Sequence, residues 1–377
     1  MTVIFWLSYF LLLAVIVFYS WGFVHPYSYL PRLNLVAEII RTKPAQATVI
    51  YLALFTLLSI FYFIFLRLIR KKQLTIKTCW LTILATVIIL VCSYPAFSYD
   101  IFNYIATARV TFTYRENPYL IMPIEIPNEP LLGFMHAANK TALYGPIWIA
   151  LTSLPHLIGR SNLLLTVFAF KGFVALFYLG LSYLIWRLSN KNLWSLAFFA
   201  LNPLVIWETL VSGHNDVAMM FFVMAGFFYL KQRKILRGSL LLVTSILTKF
   251  SPLLLLPLWI YLVIKTERQQ KIAWDRMWKW CSLTMYLAFF LSPLREEIYA
   301  WYFIWPLSFV AISDIRWLTV VSGGFSLGLP LRFAPYLATG SWSGITPLVK
   351  KIVTFVPPMV AEIGDLLKLK LRRSQVK

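Results

Sequence analysis

The sequence predicts an all-α fold: a polytopic transmembrane helical protein with about 11–13 membrane segments, at roughly 20 residues per crossing. Three observations predict it. Apolar side chains make up 60% of the 377 residues and charged ones only 13%, a balance foreign to soluble domains. Apolar runs long enough to cross a bilayer recur along the whole chain. The basic residues gather in short loops between those runs, as they do in cytoplasmic loops of membrane proteins. No polar stretch suffices for a separate soluble domain, so residues 1–377 read as a single transmembrane domain with a large outer loop at 98–141.

The first expected span, near 3–21, lacks a basic n-region and a small-residue cleavage site, so it reads as a retained helix and not a signal peptide. Further spans are expected near 47–66, 79–96, 142–158, 162–186, 193–207, 216–230, 238–249, 251–264 and 277–293, with weaker ones between 303 and 361. Four basic regions mark one face: Arg67–Lys77, Lys231–Arg237, Lys265–Lys279 and the tail with Arg372, Arg373 and Lys377. The positive-inside rule makes that face cytoplasmic. The opposite loops hold the scarce acids. Asp100, Glu116, Glu125 and Glu129 lie against Arg109, Arg115 and Lys140, and the Arg295–Glu297 turn is net acidic. Between the outer loop and Arg187–Asn192 the topology needs an odd number of crossings, yet two apolar segments lie there. Either one is a re-entrant or interfacial helix, or the weakly basic Arg187/Lys191 turn is outside.

The net charge of +21 does not indicate nucleic acid, because the cations are spread over loops between apolar runs. Cys79, Cys92 and Cys281 lie in or beside apolar segments at unrelated spacings and read as packing residues, not a disulfide or metal motif.

Several polar residues on the outer face invite a chemical reading. Asp100 follows an apolar run and begins a stretch in which Ile101, Tyr104, Ile105 and Ala108 share one helical face, with Arg109 next. It is either a helix cap or a base held at the membrane surface. His214, Asn215 and Asp216 stand between two apolar runs, where a cap needs only one of them, and they read as substrate contacts. Lys249 interrupts an apolar run, either snorkelling to headgroups or contacting a phosphate, with Arg109 and Arg115 as rivals for that contact. Asn117 and Tyr119 in "ENPYL", Tyr144 in "ALYGPIW", and Trp301 and Tyr302 in "AWYFIWP" supply turns and aromatic faces suited to a membrane interface or to a sugar ring. No phosphate-binding loop, zinc motif or serine-hydrolase order is present.

Tyr99-Asp100, Tyr104, Asn117-Pro118-Tyr119 and Tyr144-Gly145-Pro146 with Trp148 resemble the first outer loop of GT-C-fold membrane glycosyltransferases. The likeness is to the bacterial polyprenol-phosphate-mannose-dependent mannosyltransferases. "NPLVIWETLVSGHND", "LTKFSPLLLLP" and "WYFIWPL" resemble later blocks of that family in the same order. The resemblance implies a GT-C-like fold, Asp100 as general base and the His-Asn-Asp trio and Lys249 near sugar and phosphate. It implies a polyprenyl-phosphate-linked mannose or other hexose as donor and a glycan or glycolipid acceptor. Transfer would occur with inversion on the extracytoplasmic face of the cell membrane. No cofactor is implied. Some relatives carry a second acid beside the first, whereas Ile101, Phe102 and Asn103 follow Asp100 here, so no metal ligands are assigned and metal dependence stays open. The chemistry agrees without the resemblance: glycosyl transfer from a phosphate requires a base for the nucleophile and positive charge at the leaving group. The rival classes are a transporter or flippase for a polar or lipid-linked cargo, expected to show internal repeats, and a structural membrane protein, which needs no such clustering.

Overall fold

The computed structural model describes residues 3–294 and 297–374, with side chains to Leu371. Arg295, Glu296, Lys377 and the side chains of Arg372 and Arg373 lie outside the described residues. The fold is all-helical, with no strand among the described residues. Three helices are long and apolar enough to cross a membrane: Val3–Trp21, Pro44–Arg70 and Leu163–Leu188. The bent pair Leu193–Ala200 and Pro203–Val211 counts as a fourth if it forms one span. The N-terminal helix shows the membrane pattern. Tyr9, Leu13 and Ile16 are buried while Val3, Leu7, Leu11 and Phe18 expose large apolar surface, which suits a lipid solvent.

Other expected spans are shorter or broken. The segment near 79–96 is helical only to Val91, and 142–158 forms Pro146–Leu151 followed by Ser153–Gly159. Prolines explain much of the interruption. Pro146, Pro203, Pro252 and Pro330 all stand in the first turn of a helix, where the missing N–H costs nothing.

The chain packs as two units, each discontinuous in sequence. The first comprises Met1–Glu38, Ile76–Leu184 and Trp207–Ile272. In it the Tyr9 hydroxyl and Thr86 Oγ1 lie 2.9 Å apart, joining the N-terminal helix to Ile76–Val91. Trp21 Nε1 donates to the Cys92 carbonyl at 2.9 Å. The helices Asp216–Lys231 and Ile235–Thr248 pack closely because Gly226 faces Gly238, where a Cβ on either would press on the other's carbonyl oxygen. Small residues allow such close backbone approach in membrane helices. Ser245 Oγ adds a 2.8 Å bond to the Met219 carbonyl.

The second unit comprises Ile39–Thr75, Ile185–Ile206 and Ala273–Lys377. The Pro44–Arg70 helix is anchored there by the Tyr51 hydroxyl on the Pro330 carbonyl and the Tyr62 hydroxyl on the Phe198 carbonyl. Arg316–Gly328 packs on the long Thr346–Ser374 helix, where Gly324 meets the backbone of Pro358. Arg316 pairs with Asp365 at 2.7 Å, and both Arg332 and Lys350 reach Glu297.

Candidate active site

Asp100 is the first residue of the Asp100–Ala108 helix, after Tyr99 at the N-cap position, so the carboxylate does not cap the helix. Its backbone N–H donates to Ser98 Oγ at 3.2 Å. The expected apolar face is present and fully packed: Ile101, Tyr104, Ile105 and Ala108 are buried, and so are Phe102 and Ala106. The helix is therefore inserted into its unit and not laid along a surface. Only its polar start reaches outward, with the Asp100 side chain 25% exposed.

The His-Asn-Asp trio faces this helix. Gly213 adopts φ +81°, and a Cβ there would collide with the Ile101 side chain. Glycine thus permits both the turn and the close approach of the two segments. Across this contact His214 Nε2 stands 3.8 Å from an Asp100 carboxylate oxygen. The other ring nitrogen, Nδ1, lies 3.2 Å from the Glu208 carboxylate and 2.9 Å from the Glu208 carbonyl. The imidazole is wholly buried between two acids. Burial pulls its pKa down. Glu208, joined by Asp100 and Asp216, outweighs burial and holds the pKa above its ordinary value.

Asn215 occupies the N-cap position of the Asp216–Lys231 helix but makes no side-chain capping bond. Its amide is buried, and neither side-chain atom meets a hydrogen-bond partner among the described residues. Its backbone N–H donates to the Tyr104 hydroxyl at 3.1 Å. Asp216 is buried, and Lys249 Nζ binds both its carboxylate oxygens at 2.9 and 3.1 Å. Lys249 follows the Ile235–Thr248 helix, where a cation is favoured by the helix dipole. Its partner is an acid of its own chain, and 20% of its side chain remains exposed.

Gly145 lies against the Leu247 carbonyl, where a Cβ would clash, and its N–H donates to the Thr248 carbonyl at 3.1 Å. This explains "YGP": glycine for the close approach to the end of the lysine-bearing helix, proline to start the next one. Tyr144 packs edge-on to Tyr104, with ring centroids 4.7 Å apart, and its carbonyl accepts from the Tyr119 hydroxyl. Trp148 also packs edge-on to Tyr104, with ring centroids 5.1 Å apart.

Other candidates make different contacts. Arg109 Nε binds both Glu129 oxygens at 2.9 and 3.0 Å, and its guanidinium also donates to the Tyr114 hydroxyl. Arg109 lines a cavity of about 530 Å³ with Ile105, His156 and Arg160, whose lining includes neither Asp100 nor the trio. Arg115 is exposed, and Asn117 accepts from the Tyr119 N–H within its own turn. Trp301 and Tyr302 belong to the second unit, where Trp301 stacks on Tyr299 and Tyr302 on Trp305. Among the described residues no group of three or more His, Cys, Asp or Glu is arranged to hold a metal ion.

Two residues escaped the sequence reading. Glu208 was hidden inside "VIWETLV", and Lys171 is the one charge between Asn162 and Trp186. An ionisable residue inside an apolar run was the available signal. Lys171 is buried and donates to the Ser93 carbonyl and hydroxyl and, at 3.1 Å, to the Val211 carbonyl. It thereby ties the segment leading to Asp100 to the segment leading to His214. π-helical turns follow the Asp100–Ala108 helix, at Arg109–Thr113, and precede His214, at Ile206–Val211, a distortion frequent at functional sites.

Helices of membrane-crossing length and a buried cluster of ionisable groups define the class: a helical membrane protein with a built polar centre. Residues 9–265 match the model of the alpha-(1->6)-mannopyranosyltransferase N-terminal domain, the MptA/B family. The match covers more than half of the chain, and the chain belongs to that family: it is a glycosyltransferase of mannosyltransferase type. No curated protein and no solved structure matches it.

Proposed function

We propose that this chain transfers mannose, or a closely related hexose, from a polyprenyl-phosphate donor to a hydroxyl of a glycan or glycolipid acceptor, with Asp100 as general base. The observation that carries this reading is the partly exposed Asp100 carboxylate backed by the buried His214 imidazole at 3.8 Å. The acceptor oxygen attacks the anomeric carbon, its proton passes to Asp100, and the bond to the phosphate oxygen breaks with its electron pair staying on phosphate. A single displacement inverts the anomeric centre. Phosphate leaves readily, so one carboxylate suffices where glycosidases need two. Lys249, aimed by Asp216, supplies positive charge for the leaving group. The buried Asn215 amide is a polar group built for a sugar hydroxyl. Tyr104, Tyr119 and Tyr144 form the aromatic wall beside it. A donor with a lipid tail suits helices that carry large apolar side chains on their outer faces. The positive-inside pattern of the loops supports an extracytoplasmic face for this centre.

The test uses the full-length protein in proteoliposomes with a short-chain polyprenyl-phosphate mannose, a nucleotide-linked mannose and an α-(1→6)-linked mannobiose acceptor. The proposal predicts a new glycosidic bond from the lipid donor and none from the nucleotide. Transfer from the nucleotide donor, or movement of the lipid-linked sugar across the bilayer with no bond formed, overturns it.

A further inference from the structure

The two nitrogens of His214 meet different surroundings. Nδ1 faces the Glu208 carbonyl at 2.9 Å and the Glu208 carboxylate at 3.2 Å. A carbonyl oxygen only accepts, so Nδ1 carries a hydrogen whatever the charge of the ring. The nitrogen whose protonation varies is then Nε2, and Nε2 is the one that stands 3.8 Å from Asp100. His214 is fully buried, whereas Asp100 is partly exposed, so Asp100 alone of the two can meet an acceptor.

We propose that Glu208 and His214 are positioning residues that form a proton-holding pair behind Asp100, with Nε2 of His214 taking up the proton that Asp100 draws from the acceptor hydroxyl. This rests on the reading of Asp100 as the base. The protons balance. The acceptor O–H proton moves to the Asp100 carboxylate as the new glycosidic bond forms and the phosphate bond breaks, and from Asp100 it moves to Nε2. The resulting imidazolium lies between Glu208 and the again ionised Asp100. After product departs, the proton returns through Asp100 to solvent. The arrangement follows the logic of an acid–imidazole pair that orients and charges a neighbouring group. The charged and titratable groups around the ring come from each packed element: Glu208 from the π-helical turn, Asp100 from the helix it begins, and Asp216 with its bound Lys249 from the helix that follows. The Tyr104 hydroxyl accepts from the Asn215 backbone N–H next door. Burial opposes a charged ring, but the three acids outweigh burial, which suits a group that must take up a proton.

The experiment compares wild type and Glu208→Gln, full-length in detergent, with short-chain polyprenyl-phosphate mannose and α-(1→6)-mannobiose across pH. Glutamine keeps an acceptor oxygen for Nδ1–H but removes the charge. The active enzyme has Nε2 unprotonated, so rates fall on the acid side as His214 binds a proton. Removing the Glu208 charge weakens that proton's hold, and the acid limb of kcat/KM moves to lower pH by about one unit. The plateau drops by about tenfold or more, because the pair is a poorer proton acceptor. A lower rate with an unmoved limb overturns the pair and leaves a merely structural glutamate. Nitrogen-15 NMR of histidine-labelled wild type gives a second readout that needs no variant of Glu208, with the His214 signal assigned by its loss in His214→Gln. Neutral His214 is expected as the Nδ1–H tautomer, and an Nε2–H tautomer overturns the assignment. Asp100→Asn separates the two levels. If it still transfers sugar, the base reading fails. If it is inactive while the Glu208→Gln limb stays put, only the pair fails.

Discussion

Lys249 Nζ holds both carboxylate oxygens of Asp216, 33 residues away in sequence, at 2.9 and 3.1 Å. The acid is buried and the lysine mostly so. Removing one member of such a pair leaves an uncompensated charge and costs about 3–5 kcal/mol. Lys249→Met therefore lowers the thermal midpoint markedly, and the double variant Lys249→Met/Asp216→Asn recovers part of the loss. On the proposed role of Lys249 at the leaving phosphate, activity does not return with stability. Thermal unfolding in detergent alongside a transfer assay separates the two effects. Recovery of both together would make the pair purely structural.

Gly213 faces Ile101 across the site at φ +81°. Gly213→Ala pays twice: about 1–2 kcal/mol for the left-handed backbone, and further for pushing Ile101 away. The displacement carries Asp100, one residue along, from His214. Loss of transfer should exceed what the fall in thermal stability explains, and shortening the neighbour in Gly213→Ala/Ile101→Ala should restore part of the rate. An unchanged rate in Gly213→Ala would show that the spacing of these segments is unimportant.

Lys171 links the ends of two segments through the Ser93 and Val211 backbone. Lys171→Met keeps the length and apolar stem of the side chain but drops both ties. Because Asp100 and His214 depend on those segments, kcat should fall by about tenfold to a hundredfold with KM for donor little changed. Steady-state kinetics on the folded variant check this. A rise in KM alone would place Lys171 in donor binding instead.

Local features of this site were legible in the sequence, and long-range partnerships were not. Helical spacing after Asp100 marked Ile101, Tyr104, Ile105 and Ala108 as one face, and all four are buried. "YGPIW" announced a turn into a helix, and Gly145 and Pro146 form one. A run of three polar residues at His214–Asp216 stood out against its apolar flanks. What sequence spacing does not encode is which group a charge meets after folding. Arg109 finds Glu129, 20 residues on, and Lys249 turns to Asp216. Glu208 lies inside an apolar run, and its tie to His214, six residues on, depends on a π-helical turn that periodicity does not announce. Asn-Pro in "ENPYL" reads as a turn, and the Asn117 side chain closes one by accepting from the Tyr119 N–H, as asparagine often does.

The central claim is that Asp100 takes the acceptor's proton. The most direct measurement is single-turnover mannosyl transfer by Asp100→Asn in proteoliposomes, with binding of the polyprenyl-phosphate mannose followed separately on the same preparation. Asparagine preserves size and hydrogen bonding but removes the base. The expected result is donor binding within about twofold of wild type and a transfer rate lower by about a hundredfold to ten-thousandfold. A rate near wild type with normal donor binding would contradict the account.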